Sequence, residues 1–398
     1  MSDRNAVVFG AGKIARGFIA HLLTLSGYRI TFVEKNPELV ESLRRRGAYG
    51  VQILGAPEKD ITITGFEVLG SDEAEEIAAR VASAQVVFVS VGGPHLAEIA
   101  PRLAEGIRRA AAQGRVDPLN VILCENYFQP AKWLREMIHG ELGAEDAGWF
   151  ERRVGIVETM VLRSTIEPTE EMKARDPLSL SAQDMWEMPA DQAGFVGPAP
   201  EIRGLAPKEG FQAGLVRKLF TYNAVNAVVC YTGYLRGYRL LSEAANDAEV
   251  AALARAAGEE SSAALCQVYG FDPQEQRKFA EAALAKYQKR EIVDPIERNA
   301  RDPLRKLGRQ DRLVGPACLA AERGIAPVAL SRGIAAALWY DQPRDPSAAR
   351  MQAMIAELGV AEALRVVCGI DPAGVVGRLV IEAWRAIGEA RAREATPA

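Results

Sequence analysis

One run near the start of the chain limits the possible folds more than any other. Residues 6–9, AVVF, form a short apolar strand pattern that is broken by Gly10-Ala11-Gly12. KIARGFIAHLLTLSG then carries Ile14, Phe18 and Leu22 at helical spacing and stops at Gly27. YRITFVE follows as a second strand ending at Glu34. Strand, Gly-x-Gly-x-x-Ala, helix, strand, acid predicts a βαβ unit that opens a parallel sheet. Gly10 permits the tight turn, Gly12 lets a pyrophosphate approach the backbone, and Ala15 lets the helix sit close to the strand. The amides of Ala11, Gly12, Lys13 and Ile14, at and before the helix N-terminus, are the expected phosphate donors.

Glu34 lies roughly 20 residues past the loop, where this fingerprint places an acid on the ribose hydroxyls. A carboxylate repels a 2′-phosphate, so Glu34 favours NAD over NADP, while the adjacent Lys35 could serve such a phosphate. Asn36-Pro37 reads as an N-cap followed by proline in the first turn of the next helix. Further strands are expected over residues 85–91, 119–126 and 153–161. In open α/β sheets ligands bind outside the carboxyl ends of the strands. Gly10–Gly12, Glu34, Gly92 and Asn126 all fall at such ends. Asn126 is either a substrate or nicotinamide contact or a strand-terminal turn residue.

The chain has 398 residues, enough for two domains. Its net charge of −4 points to neither a nucleic-acid surface nor an anionic membrane partner. The apolar run at the N-terminus is too short for a signal peptide, and no apolar run is long enough for a membrane span. Cys124, Cys230, Cys266, Cys318 and Cys368 are scattered and make no C-x-x-C pair, as expected of reduced thiols in a cytoplasm. The histidines His21, His95 and His139 share no ligand spacing, so no metal is expected. No Tyr-x-x-x-Lys pair occurs either, which leaves a tyrosine–lysine reductase mechanism without candidates.

The stretch at 196–210, VGPAPEIRGLAPKEG, reads as a linker. The organisation expected is a dinucleotide-binding domain over 1–203 and a helical substrate and catalytic domain over 204–398. RKLFTYNAVNAVVCY, at 217–231, sets Lys218 beside Asn223 and Asn226 in mostly apolar company. On a regular helix, at about 100° per residue, Lys218, Tyr222, Asn226 and Asn223 span an arc of roughly 140°. One face could then present an amine and two carboxamides to a single cavity. A lysine withdrawn from water has a lowered pKa and can act as a general base. Asparagine N–H groups can hold a developing alkoxide. The same residues also suit a surface lysine with asparagines bonding between helices.

Four stretches occur in order along the chain: FGAGKIARGFI, LNVILCEN, RKLFTYNAVNAVVCYTGY and ERNARDPLRKLGRQDRLVGPA. Through them the sequence resembles the polyol-specific long-chain dehydrogenases. That resemblance implies an N-terminal Rossmann domain and a C-terminal all-α domain. It also implies metal-independent, NAD-linked oxidation of a sugar alcohol, a hexitol phosphate, to the ketose phosphate. The family motif is lysine, four residues, asparagine, two residues, histidine. Lys218 matches the general base and Asn223 an oxyanion donor, and Asn126 resembles the second oxyanion asparagine. Asn226 stands where the family has histidine. It can donate a hydrogen bond but does not titrate near neutral pH.

In the last stretch Arg305, Arg309 and Arg312 would share one helical stripe, and Arg301, Arg305 and Arg309 are the expected grip on a substrate phosphate. Interspersed Asp294, Glu297, Asp302 and Asp311 equally suit a salt-bridged face. Two other functions fit these residues. One is a sugar-acid reductase acting on a keto-uronate, with the arginines on a carboxylate. The other is a dinucleotide-binding sensor without turnover.

Overall fold

The computed structural model describes residues 4–126, 129–166, 170–290 and 293–395. The chain divides into two compact units, Met1–Gln212 and Ala213–Ala398.

The first unit is built on a six-stranded sheet: β1 (Asn5–Phe9), β2 (Arg29–Glu34), β3 (Glu67–Gly70), β4 (Val86–Val89), β5 (Leu119–Leu123) and β6 (Val154–Glu158). The strand order is β3-β2-β1-β4-β5-β6, and every pairing is parallel. This is the doubly wound Rossmann order, with its switch point between β1 and β4. Apolar cores cover both faces, which is why β4 and β5 are buried at every position. The strands end two or three residues earlier than their apolar patterns. The residues left over, Ser90 to Gly92 and Cys124 to Asn126, are free to build loops at the carboxyl edge.

After α1 (Ala20–Leu25), Asn36 caps α2 (Pro37–Arg46) as the sequence predicts, its Oδ1 accepting the amides of Glu38 (3.0 Å) and Leu39 (3.4 Å). The segment at 196–210 differs from the expected linker. It carries a strand, Leu205–Lys208, paired in parallel with Met188–Asp191. The glycine before it serves close approach rather than looseness: Gly204 has φ +84°, and a Cβ there would lie 2.1 Å from the Trp186 carbonyl oxygen.

In the second unit the regular elements among the described residues are all helices. One helical run comprises α3 (Phe211–Lys218), a π-helical turn (Leu219–Asn223) and α4 (Ala224–Leu235). Around α4 lie α5 (Ala248–Tyr269), α6 (Pro273–Gln288), α7 (Val314–Glu322) and α8 (Val328–Leu338). Residues Ala224 to Tyr231 of α4 are buried without a break, as expected of a helix enclosed on all sides.

Candidate functional site

At the carboxyl edge of the first unit the glycine loop and Glu34 meet. Glu34 Oε2 accepts the Ala11 amide at 2.7 Å, and Oε1 accepts the amides of Lys35 and Asn36, both at 2.9 Å. Gly10 has φ +87°, and a Cβ on it would meet the Ser90 carbonyl oxygen at 2.4 Å, so only glycine passes between β1 and β4 here. Gly12 faces open space: a Cβ there would have no neighbour within 4 Å. The loop is therefore tight below and open above, a cradle that fits a pyrophosphate lying on the amides of Gly12, Lys13 and Ile14. Arg16, which no sequence motif marks, fixes the loop from beneath. Its Nε donates to the Ala11 carbonyl (2.8 Å) and its Nη1 to that of Leu178 (2.5 Å), with 9% of the residue exposed. Lys35 turns its amine toward Glu98 Oε2 (3.2 Å) and His95 Nδ1 (3.1 Å).

The residue between Cys124 and Asn126 ties the loop at Gly92 to the end of β5. Glu125 Oε1 accepts the amides of Val91 (2.8 Å) and Gly92 (3.0 Å). Asn126 itself is exposed at the end of this segment.

In the second unit Lys218 immediately precedes the π turn and Asn223 is its last residue. A regular helix would set residues five apart well round the cylinder from one another. A π turn bonds each amide to the carbonyl five residues back, so residues five apart become neighbours on one face, as residues four apart are in an α-helix. The local winding thus draws Lys218 and Asn223 together more closely than α-helical spacing predicts.

Widening the turn leaves carbonyls short of their usual partners. Side chains supply them. Ser261 Oγ donates to the Phe220 carbonyl at 2.5 Å, and Tyr287 Oη to that of Tyr222 at 3.2 Å. Gln276, fully buried, donates from Nε2 to Thr221 Oγ1 and to Ser262 Oγ, both at 3.0 Å, while its Oε1 accepts from Arg217 Nε at 2.6 Å. The Arg217 guanidinium also stacks 4.3 Å from the Phe279 ring centre. α5 and α6 therefore brace the π turn from both sides.

The electrostatics suit a base. Lys218 keeps some contact with water, yet its amine is enclosed by protein. Burial first, then the charges of Lys286 and Arg312, lower its pKa from 10.5 to about 8. Lys286, on α6, is itself held below the ordinary lysine value, chiefly by burial. Lys306 is 5% exposed, donates to the Asn299 carbonyl, and is lowered by burial and Arg312 to about 7. Asn226 is 9% exposed in α4, and its Oδ1 accepts from the Cys230 thiol at 3.7 Å.

The arginine stripe is not formed. Arg305 lies in a short helix, Pro303–Lys306, that ends before Gly308; Arg309 and Arg312 lie in the turns that follow, ahead of α7. Gly308 bonds back to Arg305 and Asp311 back to Gly308, closing turns where the periodicity predicts continuous helix. Arg305 pairs with Asp302 (2.9 Å) and Asp311 (3.6 Å), Arg309 with Glu322 (3.5 Å), and Arg312 with Asp311 (2.7 Å). Arg301 is exposed. Among the described residues no group of three or more His, Cys, Asp or Glu is placed to hold a metal ion, and no helix is long and apolar enough to cross a membrane.

Residues 4–204 match the mannitol dehydrogenase Rossmann domain, and residues 212–371 match the mannitol dehydrogenase C-terminal domain. The chain belongs to the mannitol dehydrogenase family. The dehydrogenase is 36% identical over 382 residues to a mannitol-1-phosphate 5-dehydrogenase of Bacillus licheniformis, covering 96% of this chain and all of that one. Among solved structures it is similar to the Pseudomonas fluorescens mannitol 2-dehydrogenase in ternary complex with NAD and D-mannitol. There the TM-score is 0.80 at 17% identity, over 98% of this chain and 92% of that one. A D-sorbitol dehydrogenase in substrate-free form follows, with a TM-score of 0.75 at 16% identity, over 99% and 95% of the two chains. These two likenesses are of fold.

Proposed function

We propose that this family member is a cytoplasmic, metal-independent dehydrogenase that moves hydride between NAD and a sugar alcohol, a hexitol phosphate of the mannitol-1-phosphate type. The observation that carries the reading is the π turn, which joins Lys218, an amine poised near pH 8, to Asn223 on one face. The 36% identity to a mannitol-1-phosphate 5-dehydrogenase supports the substrate class.

The dinucleotide lies on the loop of Gly10, Ala11, Gly12, Lys13 and Ile14, with Glu34 at the ribose and Gly92 further along the edge. When bound, NAD supplies the hydride acceptor. Neutral Lys218 takes the proton from the substrate hydroxyl that is being oxidised. The carboxamide N–H groups of Asn223 and Asn126 hold the oxygen as negative charge develops on it. Asn226 orients a neighbouring hydroxyl and stays uncharged throughout. In the reductive direction the ammonium of Lys218 returns the proton to the carbonyl oxygen. The substrate phosphate falls to the basic segment, with Arg301, Arg305 and Arg309 as its candidate ligands.

The test is purified protein with NAD or NADP against hexitol phosphates, free hexitols and hexonates, followed by absorbance of the reduced cofactor, for wild type and Lys218→Ala. We expect NAD-linked oxidation of a hexitol phosphate that falls at least about 10²-fold in kcat in the variant, the usual scale for a lost general base. An active variant with an unaltered pH profile would overturn the assignment of the base. Turnover of hexonates alone would favour the sugar-acid reading, and dinucleotide binding with no turnover the sensor.

A further inference from the structure

Glu125 has no part in the chemistry described above, yet it holds the loop at the carboxyl edge. It follows β5, precedes Asn126, and reaches across to the loop after β4. A single oxygen, Oε1, takes both the Val91 amide (2.8 Å) and the Gly92 amide (3.0 Å). The loop it grips leaves the strand beside β1, at the switch point where a dinucleotide crosses the sheet. Past Gly92, whose φ is +90°, the chain makes one turn, Gly93–His95, and enters the helix Leu96–Ala112. We propose that Glu125 is a positioning residue for the dinucleotide: its ionised carboxylate fixes the backbone of Val91 and Gly92 against the crevice, so that cofactor affinity follows the charge on Glu125. The proposal rests on the dinucleotide reading above.

A charged acceptor holds an amide about twice as strongly as a neutral one. Burial pushes the Glu125 carboxyl up to about 7, against the pull of the two amides and of His95. The carboxylate is therefore half ionised near pH 7, and the grip is complete about one pH unit above that value and weakens as pH falls through it. Among the described residues two other titratable groups adjoin. Cys124 is buried and pushed up to about 12, so it stays a neutral thiol throughout this range. His95 sits on the turn after the loop, with Nδ1 2.6 Å from Glu98 Oε1 and 3.1 Å from Lys35 Nζ.

The test is the dissociation constant of NADH, read by fluorescence between about pH 5.5 and 8.5. It compares the wild type, Glu125→Gln, Glu125→Ala and His95→Asn. In the wild type, binding should weaken roughly tenfold towards acid, with a midpoint near 7. Glu125→Gln keeps an acceptor oxygen but cannot titrate, so its affinity should be flat with pH and lie between the two wild-type limits. Glu125→Ala should bind weakly throughout, and His95→Asn should keep the wild-type acid loss with its midpoint moved slightly upward. A Glu125→Gln variant that retains the acid loss, or a Glu125→Ala variant that binds like wild type, would overturn the proposal. A folded wild type that binds no NADH at any pH would overturn the dinucleotide reading itself.

Discussion

Replacing Lys286 by methionine removes one of the two charges that bear on Lys218 while keeping most of the apolar stem. Lys218 drops from 10.5 to about 8, and burial is the largest of the three causes. The two cations therefore share less than about two-thirds of the drop, with Lys286 ahead of Arg312. Losing the Lys286 charge should raise the Lys218 pKa by roughly half to one pH unit. In the proposed mechanism the neutral amine is the active form, so the ascending limb of kcat/KM for oxidation should move to higher pH. With a pKa near 8, about one amine in ten is neutral at pH 7; with a pKa near 9, about one in a hundred is. Activity at pH 7 should thus fall about three- to tenfold, while activity at pH 10 should be nearly unchanged. A pH series of kcat/KM on the best substrate decides the matter. A limb that stays in place, or a loss equal at pH 7 and pH 10, would refute electrostatic tuning by Lys286.

Other perturbations probe the remaining assignments. Asn226→His restores the family motif and should add a second ionisation near pH 6–7 to the profile; an unchanged profile would remove Asn226 from the substrate's neighbourhood. Glu34→Ala should weaken NAD binding and narrow its lead over NADP, since it deletes both the proposed ribose acceptor and the partner of the Ala11 amide; tight NADP binding by the wild type would contradict this. Arg305→Ala should raise KM for a hexitol phosphate by about tenfold or more, because each charge-assisted bond is worth roughly 1.5–3 kcal/mol. An unchanged KM with a lowered Tm would make Arg305 a salt-bridge member between Asp302 and Asp311 instead.

The first domain was legible because its signal is local. Gly10, Gly12, Ala15 and Glu34 each answer to a backbone or packing need within one βαβ unit, whereas the order of the later strands depends on crossovers that no local pattern marks. The face of Lys218 and Asn223 was legible only in outline. Periodicity assumes one winding, and the π turn depends on Ser261, Gln276 and Tyr287, residues far along the chain whose role no spacing rule reveals. The arginine stripe failed for the converse reason: charge periodicity was read through Gly308, where the backbone turns. Glu125 was hidden in plain view beside Asn126, because its partners are backbone amides and leave no mark in the sequence.

The widened turn at Leu219–Asn223 also sets what insertions and deletions can do to this enzyme. It behaves as one residue added to an otherwise regular helix. α4, buried on every side, cannot rotate to suit a new substrate. The stretch ahead of the turn carries partly exposed side chains. Deleting a single residue within Leu219–Tyr222 would restore α-helical winding and set Lys218 four residues from Asn223, still on one face, so the turn absorbs the change in length. The same deletion inside α4 would have no wide turn to absorb it and would turn the side chains beyond it by about 100°, out of a core that encloses the helix on every side, so the chain tolerates a change of length at this one point and not along the rest of the run.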